Sequence, residues 1–282
     1  NVLRSKGYTT QYLYGGYSYF DNMKDFFSNN GYDVIDRTSI PQQDIHYQNI
    51  WGVADEDLFT LALKTFDRNE SLGKPFFSQI MTVSNHRPYT FPENRIDISP
   101  KIHSREGAVK YTDYAIGKFI RQAKNHSWFD NTIFVIVADH CASSAGNVEL
   151  PVTGYHIPML IFAPSIIPAR TENTLVSQID IPPTLLGLLN LSYQSKFFGV
   201  DIRRADSTNR RAFISTYQGL GYLRNDTLAI LSPVRQKRCY KPDMKTGEAV
   251  LLPENPGLLN EAISFYETAA IAYKAGLMKF KN

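Results

Sequence analysis

Only two cysteines, Cys141 and Cys239, occur in the sequence, too few for a disulfide-dense scaffold. Charge of one sign is also scarce. The 30 Lys and Arg are set against 27 Asp and Glu, leaving +3. That excess offers no electrostatic basis for gripping a polyanion, so nucleic acid is not an expected partner. Long apolar runs are missing, and nothing approaches the roughly 20 residues that a membrane helix needs. No charged-then-apolar leader opens the chain. The glycine-rich fingerprints of dinucleotide and P-loop sites are absent too. The sequence begins at Asn1 without Met and reads as a piece of something longer.

What remains is an ordinary globular composition, 282 residues at 43% hydrophobic and 20% charged. That length suits one large domain with a small appendage. Apolar β-rich runs alternate with amphipathic ones, which predicts an α/β sheet flanked by helices. Strands are expected at 10–14, 76–83, 132–138 and 158–163, and helices at 19–28, 55–67, 105–124, 181–189 and 258–278. The run 132–138 is nearly all apolar and β-branched, as a central strand buried on both faces would be. After Gly199 the texture changes. Arg203, Arg204, Arg210 and Arg211 cluster there, followed by strand-like runs at 212–216 and 227–231, a polar stretch and the last helix. The expectation is a main domain over 1–199 and a small α+β subdomain over 200–282 packed on it.

Polar residues gather where strands should end, the place α/β proteins reserve for chemistry. Asp139 and His140 close the apolar run 132–138. A carboxylate and an imidazole form a common ligand set for Zn²⁺ or Mn²⁺. Neighbours in a strand point to opposite faces, so both reach one ion only where the chain leaves strand geometry. The alternative is an Asp capping the next turn with the His bonded to it. His86 and Arg87 follow the strand 76–83 and could hold a phosphate-like group, or could serve only local backbone. His156 precedes the strand 158–163 and reads equally as a ligand or as a histidine at the core edge. Gly15-Gly16 could cradle an anion at a helix N-terminus or form a turn needing φ > 0, with Asp21 and Asn22 as nearby pocket polars or helix-start residues. Asp55 reads as a helix cap and Cys141 as a small buried residue. His46, His103 and His126 read as solvated.

Ser84-Asn85-His86, Ala138-Asp139-His140, Tyr155-His156-Ile157-Pro158 and Gln178-Ile179-Asp180-Ile181-Pro182-Pro183-Thr184-Leu185 stand in this order. With Lys6-Gly7-Tyr8 and Gly31-Tyr32-Asp33, they resemble the sulfatase-like branch of the alkaline phosphatase superfamily. Within it the chain is most similar to lipoteichoic acid synthases and phosphoglycerol-transferase-like proteins. The resemblance implies an alkaline phosphatase-like fold with a central, mostly parallel sheet. It implies a phosphotransferase or hydrolase acting on phospholipid head groups or related phosphate esters, with one divalent metal ion, Mn or Zn. Asp139 and His140 match metal ligands, His86 matches the histidine at the head group or leaving group, and His156 matches a further histidine near the metal. Arg87 and Asp21 join the substrate side. The family's Thr nucleophile and acidic ligand would lie upstream of Asn1, as would a membrane anchor at the extracytoplasmic face. Gly16, Asp21 and Met23 occupy positions where lipoteichoic acid synthases carry the Asp, Trp and Arg that grip phosphoglycerol, so the head group stays open. Two other readings stay open as well: an inactive module that binds lipid or a partner protein, and a sulfuric ester hydrolase.

Overall fold

The computed structural model describes residues 1–143, 148–204, 206 and 210–279. The chain forms two compact units, one of residues 1–133 and 163–167, the other of 134–162 and 168–282.

The first unit contains α1 (Val2–Ser5), β1 (Thr9–Tyr14), α2 (Met23–Asn29), β2 (Asp33–Ile35), α3 (Asp55–Ser71), β3 (Phe76–Met81) and α4 (Arg105–Ala123). Its sheet has the order β2-β1-β3, with both pairings parallel. Five of the six residues of β1 are buried. Side chains alternate across a strand, and the two faces of β1 meet different neighbours. Tyr12 and Tyr14 pack with Met23, Phe27 and Met81, and the Tyr12 ring stacks on Phe27 at 3.7 Å. From the other face Gln11 accepts a hydrogen bond from Asn69 of α3 at 2.7 Å and one from Ser78 of β3 at 3.2 Å. Helices α3 and α4 pack through stacked Phe59 and Phe119, 4.8 Å apart. The Ser104 hydroxyl caps α4 by accepting from Gly107 N at 3.0 Å.

Three acidic residues at the start of α3, Asp55, Glu56 and Asp57, are buried. Asp55 does not cap the helix as its position suggested; Ala54 is the N-cap residue and Asp55 is fully buried. Glu56 accepts from Lys118 at 2.7 Å, Arg95 at 2.8 Å and Tyr111 at 3.2 Å. Burial alone would push its carboxyl up, but the Lys118 and Arg95 bonds outweigh that and hold it below its ordinary value of 4.5. A depressed folded-state pKa gives stability that is present above about pH 4.5 and lost as pH falls through the folded value. Glu56→Gln is therefore expected to destabilise the protein at neutral pH. The gap to the unsubstituted protein should narrow below pH 4.5, read from urea midpoints across pH 3–7. A constant gap would refute the assignment.

The second unit contains β4 (Phe134–Val137), β5 (Met159–Phe162), α5 (Ile181–Leu188), β6 (Ala212–Ser215), β7 (Leu220–Arg224), β8 (Thr227–Ser232), β9 (Gln236–Pro242), β10 (Ala249–Leu252) and α6 (Pro256–Lys274). The last five strands make one antiparallel sheet in the order β10-β9-β8-β7-β6. Leu150 and Val152 cluster with its residues Leu223, Leu228 and Ile230, while Tyr222, Ala229 and Cys239 meet Leu258, Leu259 and Ala262 of α6. The polar stretch expected before the last helix includes β9, whose side chains are mostly exposed apart from Cys239 and Pro242.

One expectation is corrected. The run 132–138 is not a strand buried on both faces. It forms β4, half-buried after Phe134, and pairs antiparallel with β5. Val135, Met159 and Ile161 share a small apolar cavity with Ile181, Leu185 and Leu188 of α5, whereas Leu160, opposite Ile136, is 63% exposed. One helix covers one face, and the doubly covered strand is β1 instead. Cys141 is half-buried, not buried, and both cysteines are free thiols.

Candidate functional site

In the first unit the loops leaving β1, β2 and β3 form one cluster at the C-terminal ends of the parallel strands. Gly15 and Gly16 need no positive φ. They serve close backbone approach: a Cβ at Gly16 would overlap the Trp51 carbonyl oxygen, and one at Gly52 (φ 149°) would overlap the Gly15 carbonyl. No helix start follows to cradle an anion, since a single 3-10 turn, Phe20–Asn22, comes before the short α2. Asp21 sits in that turn with φ 48° and is exposed.

Asp36, just after β2, ties two loops together. It accepts from Ser18 N at 2.9 Å, Ser18 Oγ at 2.6 Å, Thr38 N at 2.9 Å and Thr38 Oγ1 at 2.6 Å. Partial burial pushes its carboxyl up, and these four bonds overcome that and hold it below the usual range. Asp55 fixes the third loop. Its Oδ1 accepts from Val83 N at 3.1 Å and Ser84 N at 3.0 Å, and its Oδ2 from Thr112 Oγ1 at 2.9 Å. Complete burial nevertheless keeps the Asp55 carboxyl above its ordinary pKa.

The outward side of this cluster is aromatic and basic. The Trp51 ring lies 3.9 Å from the His86 ring, and its Nε1 donates to the Arg87 carbonyl. Phe20 meets Trp51 edge-on at 5.6 Å, and Arg37 lies 5.1 Å over the exposed Tyr17 ring. His86 Nδ1 is 3.1 Å from the Arg87 carbonyl. A carbonyl only accepts, so Nδ1 carries the proton and Nε2 is left for chemistry. Arg87 and Arg105 beside the Tyr89 hydroxyl hold its pKa below the ordinary value. His86 and Arg87 thus stand together.

The second unit carries the other residues. Asp139 and His140 follow β4 and face each other, with His140 Nε2 3.5 Å from Asp139 Oδ2. Their side chains are 63% and 76% exposed. His140 Nδ1 is 2.8 Å from the Cys141 carbonyl, which fixes that nitrogen as donor and turns Nε2 toward the carboxylate. One carboxylate oxygen and one imidazole nitrogen side by side suit a borderline divalent cation. Among the described residues no group of three or more His, Cys, Asp and Glu side chains is gathered for a metal. His156, exposed after the turn Val152–Tyr155, is not collected with the pair.

Of the histidines expected to be solvated, His46 is 70% exposed, as expected, whereas His126 is half-buried, and both have acidic partners. His126 bonds Asp67 at 2.6 Å and stacks on Trp128, and His46 bonds the buried Asp57 at 2.7 Å. Their partners lie 59 and 11 residues away, beyond a local reading. His103 is exposed and contacts the Pro88 carbonyl. Trp51, against His86 in the first unit, and Gln178, bonded to the Ala138 and Asp139 carbonyls in the second, received no role from sequence; Gln178 lies inside the 178–185 motif, its one signal.

The fold is that of the alkaline phosphatase superfamily. A crystal structure from that superfamily, of a Vibrio parahaemolyticus protein, superposes with TM-score 0.93 and 35% identity over 99% of this chain and 68% of that one. Residues 1–191 match the Sulfatase family, and the chain belongs to it. It is 26% identical over 231 residues to lipoteichoic acid synthase 1 of Bacillus subtilis, covering 74% of this chain and 35% of that protein. It is 27% identical over 230 residues to phosphoglycerol transferase I of Xanthomonas axonopodis pv. citri, covering 73% and 31%. The chain therefore spans about a third of the length of these relatives. The lipoteichoic acid synthase LtaP from Listeria monocytogenes shares the fold, with TM-score 0.71 at 20% identity over 94% of this chain and 72% of that one. Among the described residues no helix is long and apolar enough to cross a membrane.

Proposed function

We propose that the protein is a metal-dependent phosphotransferase or hydrolase acting on phospholipid head groups or related phosphate esters. Its nucleophile is a threonine outside Asn1–Asn282, and a membrane anchor upstream holds it at the extracytoplasmic face. The observation that carries this reading is the Asp139–His140 pair, with Oδ2 and Nε2 3.5 Å apart and Nδ1 tied to backbone. Asp139 and His140 would hold one Mn²⁺ or Zn²⁺, which when bound supplies charge to stabilise a phosphoryl group and lowers the pKa of a coordinated hydroxyl. His86 offers Nε2 to the head group or leaving oxygen, and Trp51 fixes its ring plane. Arg87 adds positive charge for the phosphate oxygens, and Asp21 lies in the loop that borders the head group. His156 is assigned to the substrate side.

The test is turnover of a glycerophospholipid and of an aryl sulfate by the intact protein with Mn²⁺. Release of diacylglycerol or of phosphate ester product supports the reading; cleavage of the sulfate ester alone replaces it with the sulfatase reading, and no turnover of either favours an inactive binding module. His86→Ala is expected to lower kcat/KM for the phosphate substrate by about 10²-fold or more, the scale of a lost proton-transfer group, while metal content measured by elemental analysis is unchanged. Loss of metal would make His86 a ligand instead.

A further inference from the structure

We propose that Arg211 is a positioning residue for the Asp139–His140 pair and acts through Asp180 and Gln178. The inference rests on the metal-holding role proposed above and adds what keeps the two side chains together.

Successive carbonyls of an extended strand point to opposite sides. Gln178 Nε2 nevertheless donates to the carbonyls of both Ala138 and Asp139, each at 2.9 Å. One amide nitrogen can reach both only where the backbone has turned out of strand geometry. That turn is also what lets two adjacent side chains approach one another. Gln178 therefore clamps the bend on which the pair depends.

Gln178 is in turn held by a rigid support. It opens the 3-10 turn Gln178–Asp180, closed by a reciprocal capping box between Ser177 and Asp180. The Asp180 carboxylate accepts four bonds: Ser177 N and Val200 N at 2.8 Å, and Arg211 Nη1 and Nη2 at 2.9 and 3.0 Å. Arg211 and Asp180 side chains are 4% and 2% exposed. Arg211 also donates to the Phe198 carbonyl at 3.1 Å and lies 5.4 Å over the Phe213 ring. Phe213 N, at the edge strand β6, donates to Ser177 Oγ at 2.9 Å. The forked guanidinium is the one cation bonded to this carboxylate among the described residues, and the single nitrogen of a lysine could not reproduce its two parallel bonds. The bend after β4 is thus set from the five-stranded sheet.

The experiment measures Mn²⁺ affinity of the intact protein by loss of the free-ion EPR signal, with the thermal midpoint recorded alongside. Gln178 is exposed, so Gln178→Ala should leave the midpoint nearly unchanged and weaken Mn²⁺ binding about tenfold, the lower end for outer-shell changes at metal sites. Arg211→Lys should weaken it similarly. The double variant should be no weaker than the worse single one, because both act on one bend. Should Arg211→Lys not fold, Ser177→Ala, which loosens the same turn, takes its place in the cycle. Unchanged affinity in Gln178→Ala, or losses that multiply in the double variant, overturns the proposal. Asp139→Ala is the separating control. If it abolishes binding while Gln178→Ala does not affect it, only the positioning role fails. If Asp139→Ala binds Mn²⁺ normally, or the unsubstituted protein binds none, the metal-holding role itself fails and the positioning role with it.

Discussion

Asp139→Ala in the intact protein should abolish metal-dependent turnover, with kcat/KM falling on the order of 10³-fold. The scale follows from about 4 kcal/mol of charge stabilisation expected from a cation at a phosphoryl centre, at 1.36 kcal/mol per tenfold in rate. The carboxylate has two jobs in the structure. Its Oδ1 accepts from His140 N at 2.9 Å, and its Oδ2 faces His140 Nε2. Alanine removes both. Asp139→Asn keeps an acceptor for the His140 amide but loses the anionic ligand, so it separates the two contributions. Asn should fall nearly as far as Ala if the charge matters, and recover most activity if the loop bond does. Steady-state kinetics against Mn²⁺ concentration read this directly. More than a tenth of the original turnover in Asp139→Ala would end the metal assignment.

The largest effect on stability is expected at Asp55, which is fully buried beneath the loop that carries His86. Asp55→Ala strips the acceptor from Val83 N, Ser84 N and Thr112 Oγ1. Each buried donor left unpaired costs about 1–3 kcal/mol, so the loss should reach about 3 kcal/mol or more. Asp55→Asn should cost far less. Its amide oxygen still accepts from the two backbone groups, and its amide nitrogen can donate to the Thr112 oxygen. Urea unfolding of both variants tests this. Equal losses in the two would mean that packing, not hydrogen bonding, makes the site sensitive. Because the same bonds fix the start of the loop that carries His86, Asp55→Ala should also raise KM.

The main elements were legible because their apolar spacing is regular. The expected bounds of β1, α4, β5 and α5 lie within a residue of the observed ones. Elsewhere physics hid the signal. At three residues, Asp33–Ile35 is too short to show a period. Strand β9 carries lysine and arginine at exposed positions and buries only Cys239 and Pro242, so it reads as polar coil. Doubly buried and singly buried apolar runs look alike in sequence, which is why 132–138 was placed at the centre and β1 was not. Of the candidate site, the strand-end residues Asp139, His140, His86 and Arg87 stood out because polar groups interrupt apolar runs there. Their supports did not. Asp55 at a helix start reads as a cap whether it faces water or core. Arg211 looked like one of four clustered arginines, since its partner lies 31 residues earlier.

The way the backbone threads the two units bears on how either could be exchanged. The first unit is left unfinished at residue 133 and receives its last piece, 163–167, only after 134–162 have been committed to the second. The chain therefore crosses between the two units three times, after residues 133, 162 and 167. Neither half is a cassette that recombination could move with a single crossover.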